Sequence, residues 1–369
     1  MRVLIATGLY PPDIGGPATY SKFLFDELPK HGLDVDIVSF GEVRRLPKII
    51  RHSAYFFHVI RQGVKADIIY ALDPVSVGLP SMLAASLLRK RFIVRVAGDY
   101  AWEQGTQRFG IEESLDTFSR QTKGYPFFVR LLRLIQTYVV SKAERVIVPS
   151  KYLARIILKW GVPEQSIMVI YNSFELPIRL ATKKTLRELM HLTGFVIVSS
   201  GRLVPWKGFS ALIDIVAVLV KEFSDITLLI VGDGPDAKKL QALIEEKSME
   251  EHVVLVGRLD RETLLRYTKA ADLFVLNTFY EGFSHQILEA MSLGVPIVTT
   301  KVGGNPELVE HNKTALLVAY NDKQALLGAI RHTLKNKSET KERVKAALKK
   351  AGQFSKERAI AELLKILKT

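Results

Sequence analysis

The chain has 369 residues, room for two domains with separate cores, and its 48% hydrophobic and 24% charged residues describe an ordinary folded protein. It has no cysteine, which excludes disulfides, thiolate zinc sites and cysteine nucleophiles. The net charge of +14 favours an anionic partner; no recognised nucleic-acid module is present, so the expected anion is a phosphorylated substrate or an anionic membrane face and not nucleic acid.

The opening Met1-Arg2-Val3-Leu4-Ile5-Ala6 reads as a buried strand and not as a signal peptide, and no apolar run approaches the ~20 residues that cross a bilayer. Strands are predicted at Val3–Ala6, Val35–Ser39, Asp67–Ala71, Phe92–Ala97, Val146–Pro149 and Met168–Tyr171. A second set follows at Phe195–Ser199, Thr227–Val231, Val253–Val256, Leu273–Leu276, Pro296–Thr299 and Ala315–Val318. Apolar strands alternating with helices imply parallel sheets covered on both sides, so the fold class is α/β: two Rossmann-like, doubly wound domains facing a central cleft. Residues 1–176 form the expected first domain and 177–352 the second, with the basic stretch Pro177–Arg187 as linker. Residues 353–369 form a terminal helix expected to pack back on the first domain.

Ligands of such sheets bind beyond the carboxyl ends of the strands, so the loops there carry the candidates. After the first strand, Gly15 and Gly16 precede Pro17, and a structural turn and a ligand-approaching loop both fit them. Between Arg44 and Lys65 the sequence holds six cations and no acid, Arg44, Arg45, Lys48 and Arg51 among them. Leu46, Ile49, Ile50, Ala54, Phe57 and Ile60 make the docking stripe expected there, which leaves Tyr55, Phe56 and Val59 beside the cations. A membrane-surface role and a merely solvated face are both open. Asp99 ends another strand, where it either meets a sugar hydroxyl or caps the next segment; Trp102 reads as core.

In the second half Gly201-Arg202 leads to Lys207-Gly208 directly after a strand, and a guanidinium fork with a mobile ammonium suits a diphosphate. Val231-Gly232-Asp233-Gly234-Pro235 reads as a tight turn. Glu281 and Glu289 are eight residues apart, and eight helical steps of about 100° leave them roughly 80° apart around an axis. They converge on one ligand if Glu281 lies in a loop and Glu289 on the second turn of a helix capped by Ser284. Amides near Gly282, Phe283 and Ser284 then face an anion at that helix start, with a carboxylate on either side for hydroxyls. A nucleotide-sugar has phosphates between two polyols. His285 and His311 are isolated, so no metal site is expected.

These residues, with Gly303-Gly304-x-x-Glu307, resemble the retaining glycosyltransferases of family 4, which have the two-Rossmann GT-B architecture. The resemblance implies that Arg202 and Lys207 hold a donor diphosphate in place of a metal, with no cofactor. It implies that Glu281 meets the donor sugar, that Glu289 meets the ribose, and that Asp99 stands where the family has a cleft His or Asp. It further implies front-face displacement with retention, the departing phosphate taking the acceptor proton. Asn277-Thr278, His285-Gln286, Ala315 and Gly98-Asp99 depart from the common pattern, which leaves donor and acceptor open.

The expected function is transfer from a nucleotide-sugar, UDP before GDP, to a lipid-linked or cell-surface glycan. The expected place is the cytoplasm or the inner face of the cell membrane. A silent nucleotide-sugar-binding subunit and a nucleotide-sugar epimerase are the alternatives. The first binds donor without turnover; the second puts solvent deuterium at the sugar C2.

Overall fold

Short β-branched runs flanked by amphipathic stretches make largely apolar strands, and they assemble into parallel sheets under helices. The computed structural model describes residues 1–13, 15–121, 124–176 and 179–369, and only the backbone of Lys48 and Ile49. The chain divides into two compact units, Met1–Tyr171 with Glu357–Thr369, and Asn172–Lys356.

The first unit runs β1 (Arg2–Thr7), α1 (Gly16–Glu27), β2 (Asp34–Ser39), α2 (Lys48–Gly63), β3 (Ile68–Ala71), α3 (Gly78–Leu88) and β4 (Arg91–Arg95). It continues through α4 (Tyr100–Phe109), α5 (Leu115–Arg120), α6 (Phe127–Ser141), β5 (Arg145–Val148), α7 (Lys151–Leu158) and β6 (Ile167–Val169). Its six parallel strands lie in the order β2-β1-β3-β4-β5-β6. The steps β2 to β3, β3 to β4 and β4 to β5 all go one way, so right-handed crossovers place α2, α3 and α6 on one side. The step β1 to β2 goes the other way and puts α1 opposite.

The second unit runs α8 (Lys183–Leu189), β7 (Phe195–Ser200), α9 (Phe209–Leu219), β8 (Ile226–Val231), α10 (Ala237–Glu246), β9 (Val253–Gly257) and α11 (Arg261–Ala270). Then follow β10 (Leu273–Leu276), α12 (His285–Ser292), β11 (Ile297–Thr300), α13 (Asn305–Leu308), β12 (Leu316–Val318), α14 (Lys323–Lys335) and α15 (Lys337–Ala351). The strand order is β12-β11-β10-β7-β8-β9. The chain proceeds outward from β7 in one direction and from β10 in the other, so the topological switch point lies between those two strands. Helix α16 (Lys356–Lys368) places Ile360, Leu363 and Leu367 in the core of the first unit, against Val3, Ile5 and Leu24.

All twelve predicted strands coincide with observed ones. Three expectations need correction. The stretch from Pro177 to Arg187 is not a bare linker: its first two residues lie outside the described ones, but Lys183 and Arg187 stand on α8 and bind Asp272 at 2.6 and 2.7 Å. The chain passes into the second unit at Asn172, five residues before the expected boundary, because Asn172 and Phe174 bond to residues of that unit. The expected docking stripe of α2 is inverted. Tyr55 and Val59 are fully buried, and the Tyr55 hydroxyl donates to the Val38 carbonyl at 2.9 Å. Ile50 and Phe57 face outward. The Ile49 side chain lies outside the described residues.

Candidate active site

Two loops leave the strands that flank the switch point of the second sheet, 201–208 after β7 and 277–284 after β10. They are stitched together by groups that have no water to bond. The buried Asn277 donates to the Gly208 carbonyl at 3.0 Å and to Asn321 Oδ1 at 2.8 Å, and accepts from the Asn321 amide at 3.1 Å. The Phe279 amide donates to the Trp206 carbonyl at 2.8 Å. Loop against loop, Lys207 Nζ lies 2.5 Å from Glu281 Oε2, both side chains largely shielded from solvent. Desolvation offsets much of such a pair's attraction. Its consequence is placement: a fixed cation and a fixed anion side by side where a ligand is expected. The Glu281 carbonyl is held by the Gly304 amide at 2.9 Å, an approach that any side chain on Gly303 would block.

Ser284 caps α12 by accepting from the Ile287 amide at 3.2 Å. Glu289 stands on the second turn, buried, 3.4 Å from the Arg261 guanidinium. Burial pushes its carboxyl up to about 7, against the opposing pull of Arg261. Arg261 itself stacks over the Phe174 ring at 5.4 Å. Arg202 is exposed on the first loop, and Gly201 opens that loop with φ 150°. Gly282 and Phe283 are buried; the Phe283 carbonyl accepts from Asn172 at 3.0 Å and its ring meets Phe354 edge-on at 5.4 Å. The second unit thus gathers two cations, a loop carboxylate, a helix start and a buried carboxylate with its own arginine.

The family model for glycosyl transferases group 1 matches residues 183–351, and that for glycosyltransferase family 4 matches residues 14–176. The chain belongs to the GT-B glycosyltransferases. It is 24% identical over 337 residues to the N-acetyl-alpha-D-glucosaminyl L-malate synthase of Bacillus anthracis, which covers 87% of this chain and 85% of that protein. It is 29% identical over 218 residues to the amylovoran biosynthesis glycosyltransferase AmsK of Erwinia amylovora, 57% of this chain but only 53% of that relative. The crystal structure of Anabaena HepE in complex with UDP and glucose superposes over the whole of both chains with a TM-score of 0.80 at 20% identity, a likeness of fold.

The first unit of the glycosyltransferase holds the remaining candidates. Gly15 takes φ 146° at the start of α1, and Gly16 is the first residue of that helix. Asp99 corrects the expectation of a cleft carboxylate. It is 1% exposed and caps α4, its Oδ1 accepting from the Trp102 amide and from Gln136 Nε2, each at 2.9 Å. Burial raises its carboxyl, against those bonds. Trp102 is core, with its indole N–H donating to the Glu113 carbonyl. Two cations of the basic stretch have partners within the unit. Arg44 binds Asp13 with both guanidinium nitrogens, at 3.2 and 3.1 Å, and Arg51 lies over the Phe40 ring at 5.6 Å. Arg45 is exposed, and the Lys48 side chain lies outside the described residues.

The sequence reading missed Arg261 and the Asn277–Asn321 stitch. Arg261 had a signal, since it opens the helix just after β9 at the carboxyl end of the sheet. The stitch had none, because Asn321 is 44 residues away from its partner.

Proposed function

We propose that the enzyme moves a sugar from a nucleotide-sugar, a UDP-sugar before a GDP-sugar, to a lipid-linked or cell-surface glycan acceptor, with retention and without a metal ion. The observation that carries this reading is the Lys207–Glu281 pair at the switch point, beside Arg202 and the start of α12. A donor opens the pair: the diphosphate takes Lys207 and Arg202, and the sugar hydroxyls take Glu281. Glu289 accepts from the ribose. As the glycosidic bond breaks, negative charge grows on the leaving diphosphate, where the two cations and the amides of α12 stabilise it. The leaving phosphate oxygen then takes the acceptor proton, so neither glutamate serves as base. UDP and glucose bound to HepE support a uridine donor.

A thermal-shift panel of UDP-, GDP- and ADP-sugars tests the donor, with the largest shift expected for a UDP-sugar. Glu281→Gln is expected to keep the fold and lose about 100-fold or more in transfer. Full transfer by that variant ends the site assignment. Donor binding without turnover by the wild type assigns a silent subunit instead, and deuterium at C2 assigns an epimerase.

A further inference from the structure

The two sides of the first sheet carry different surfaces. On the side of α1 and α16, exposed charges are paired in the ordinary way, as in Lys22 with Asp26 and Arg358 with Glu362. On the side of α2, α3 and α6, large apolar side chains stand in solvent. Helix α6 exposes Phe127 (76%), Leu131, Leu134 (69%) and Tyr138, at positions i, i+4, i+7 and i+11. That spacing makes one stripe about 16 Å long on a single helix face. The core does not use it: the inward face of α6 is Val129, Leu132, Gln136 and Val139. The neighbouring α3 adds Leu83 and Leu87 (68%), and α2 adds Ile50 and Phe57.

The three helices themselves carry charges of one sign. Residues 43–66, 74–98 and 117–143, which contain the three helices, hold no Asp or Glu. Arg45, Arg61, Arg89, Arg130 and Lys142 are exposed there. Acids stand at the margins: Glu144 takes two bonds from Arg91 at 2.9 Å, Asp116 lies 3.6 Å from Lys159, Glu42 lies 3.5 Å from His58 of α2, and Glu112 and Glu113 are exposed just before α5. An apolar stripe of this size marks a contact surface. A second copy docking face to face would set these cations against their own equivalents. Aromatic and aliphatic side chains beside these cations match an anionic bilayer surface.

We propose that the α2, α3 and α6 layer seats the protein on an anionic lipid surface, with Phe127, Leu131, Leu134 and Tyr138 entering the headgroup region. The stripe of α6 is the anchor, and the exposed cations at the ends of and beside the three helices, Arg45, Arg61, Arg89, Arg130 and Lys142, bring the protein to the membrane. The inference concerns where the enzyme sits and stands apart from the transfer reaction.

Sedimentation with vesicles of phosphatidylcholine alone and of phosphatidylcholine mixed with phosphatidylglycerol tests it. Wild type is expected on the mixed vesicles and far less on the neutral ones, with binding that falls as salt rises. Phe127→Ser with Leu134→Ser removes two large apolar groups from the anchor, and a loss of at least tenfold is expected. Leu87→Gln on α3 is a second variant on a separate helix, with a smaller loss. Hydrolysis of the nucleotide-sugar without vesicles is expected to be unchanged in both, which separates this test from the donor assignment. Wild type that ignores both vesicles, binds both alike, or binds undiminished in the double variant overturns the proposal. So does a wild-type dimer that the double variant dissolves.

Discussion

The two sheets have nearly the same plan, and each has a switch point, between β1 and β3 in the first unit and between β7 and β10 in the second. They fill it differently. In the first, the Asp73 carboxyl after β3 accepts from the amides of Val75 and Ser76 at 2.8 and 2.6 Å, and Arg44 is tied to Asp13 in the β1 loop. In the second, among the described residues, the Lys207 ion pair is with Glu281 and the Glu289 ion pair is with Arg261. Polar groups closed by their own backbone shape a loop. Opposite charges held apart from backbone partners can be exchanged for those of a ligand. The comparison supports placing the proposed donor site in the second unit.

The largest expected break in that comparison is Lys207→Ala. It removes a fixed cation from the leaving group, and a loss of about 100- to 1,000-fold in kcat is expected, with a lowered melting temperature because Glu281 is left shielded without its cation. Steady-state rates with a saturating donor measure it. A tenfold loss or less would return Lys207 to the role of a structural partner for Glu281.

Next comes the stitch. Asn277→Ala leaves the buried Gly208 carbonyl without its partner and releases the exposed Asn321, at a cost of about 1–3 kcal/mol by urea unfolding. Transfer is expected to fall as well, since the stitch sets Lys207 against Glu281. Unchanged stability would mean that the loops hold their register without it.

The third test uses pH. The native Glu289 carboxyl titrates at about 7, above the ordinary carboxylate value of 4.5, so between those values the native state holds a proton that the unfolded chain releases. The stability owed to this group is present below about 4.5 and is lost as pH rises through about 7. Glu289→Gln is therefore expected to melt higher than wild type at pH 8, with the gap closing at pH 5. Donor binding goes the other way, because the ribose needs the carboxylate, and affinity should rise through pH 7. Arg261→Gln removes the one charge that pulls Glu289 down and moves the midpoint of that rise upward. A pH profile of donor affinity that the arginine variant leaves in place would disconnect Arg261 from the site.

The sequence shows these features to unequal depth, for physical reasons. The strands were legible because Val, Ile and Leu runs buried on both faces look like little else, and Ser284 was legible because a cap needs only its own helix. The pair of Lys207 and Glu281 was legible as two loops at the ends of strands. The orientation of α2 was not, because Leu46, Ile50 and Phe57 make one apolar stripe and Tyr55 with Val59 makes another. Periodicity cannot choose between two stripes; the sheet beneath does. Helix α8 was hidden in a basic stretch because Lys183 and Arg187 find their acid, Asp272, some 85–89 residues further on.

The smallest expected effect is also the one that most sharply separates the two units. Asp99 sits at the end of β4, where a ligand contact was expected, yet its observed bonds are those of a cap. An asparagine keeps the oxygen that receives the Trp102 amide and the Gln136 side chain, and asparagine caps a helix about as well as aspartate. Asp99→Asn should therefore change stability by less than about 1 kcal/mol and transfer by less than about threefold. Asp99→Ala, which loses the cap, should cost about 1–2 kcal/mol and leave the pH profile of transfer in place. If the asparagine variant instead loses transfer 100-fold while melting like wild type, the charge of Asp99 matters to the reaction. The first unit would then contribute a functional carboxylate from inside its core, and the contrast between the two units would fail at that residue.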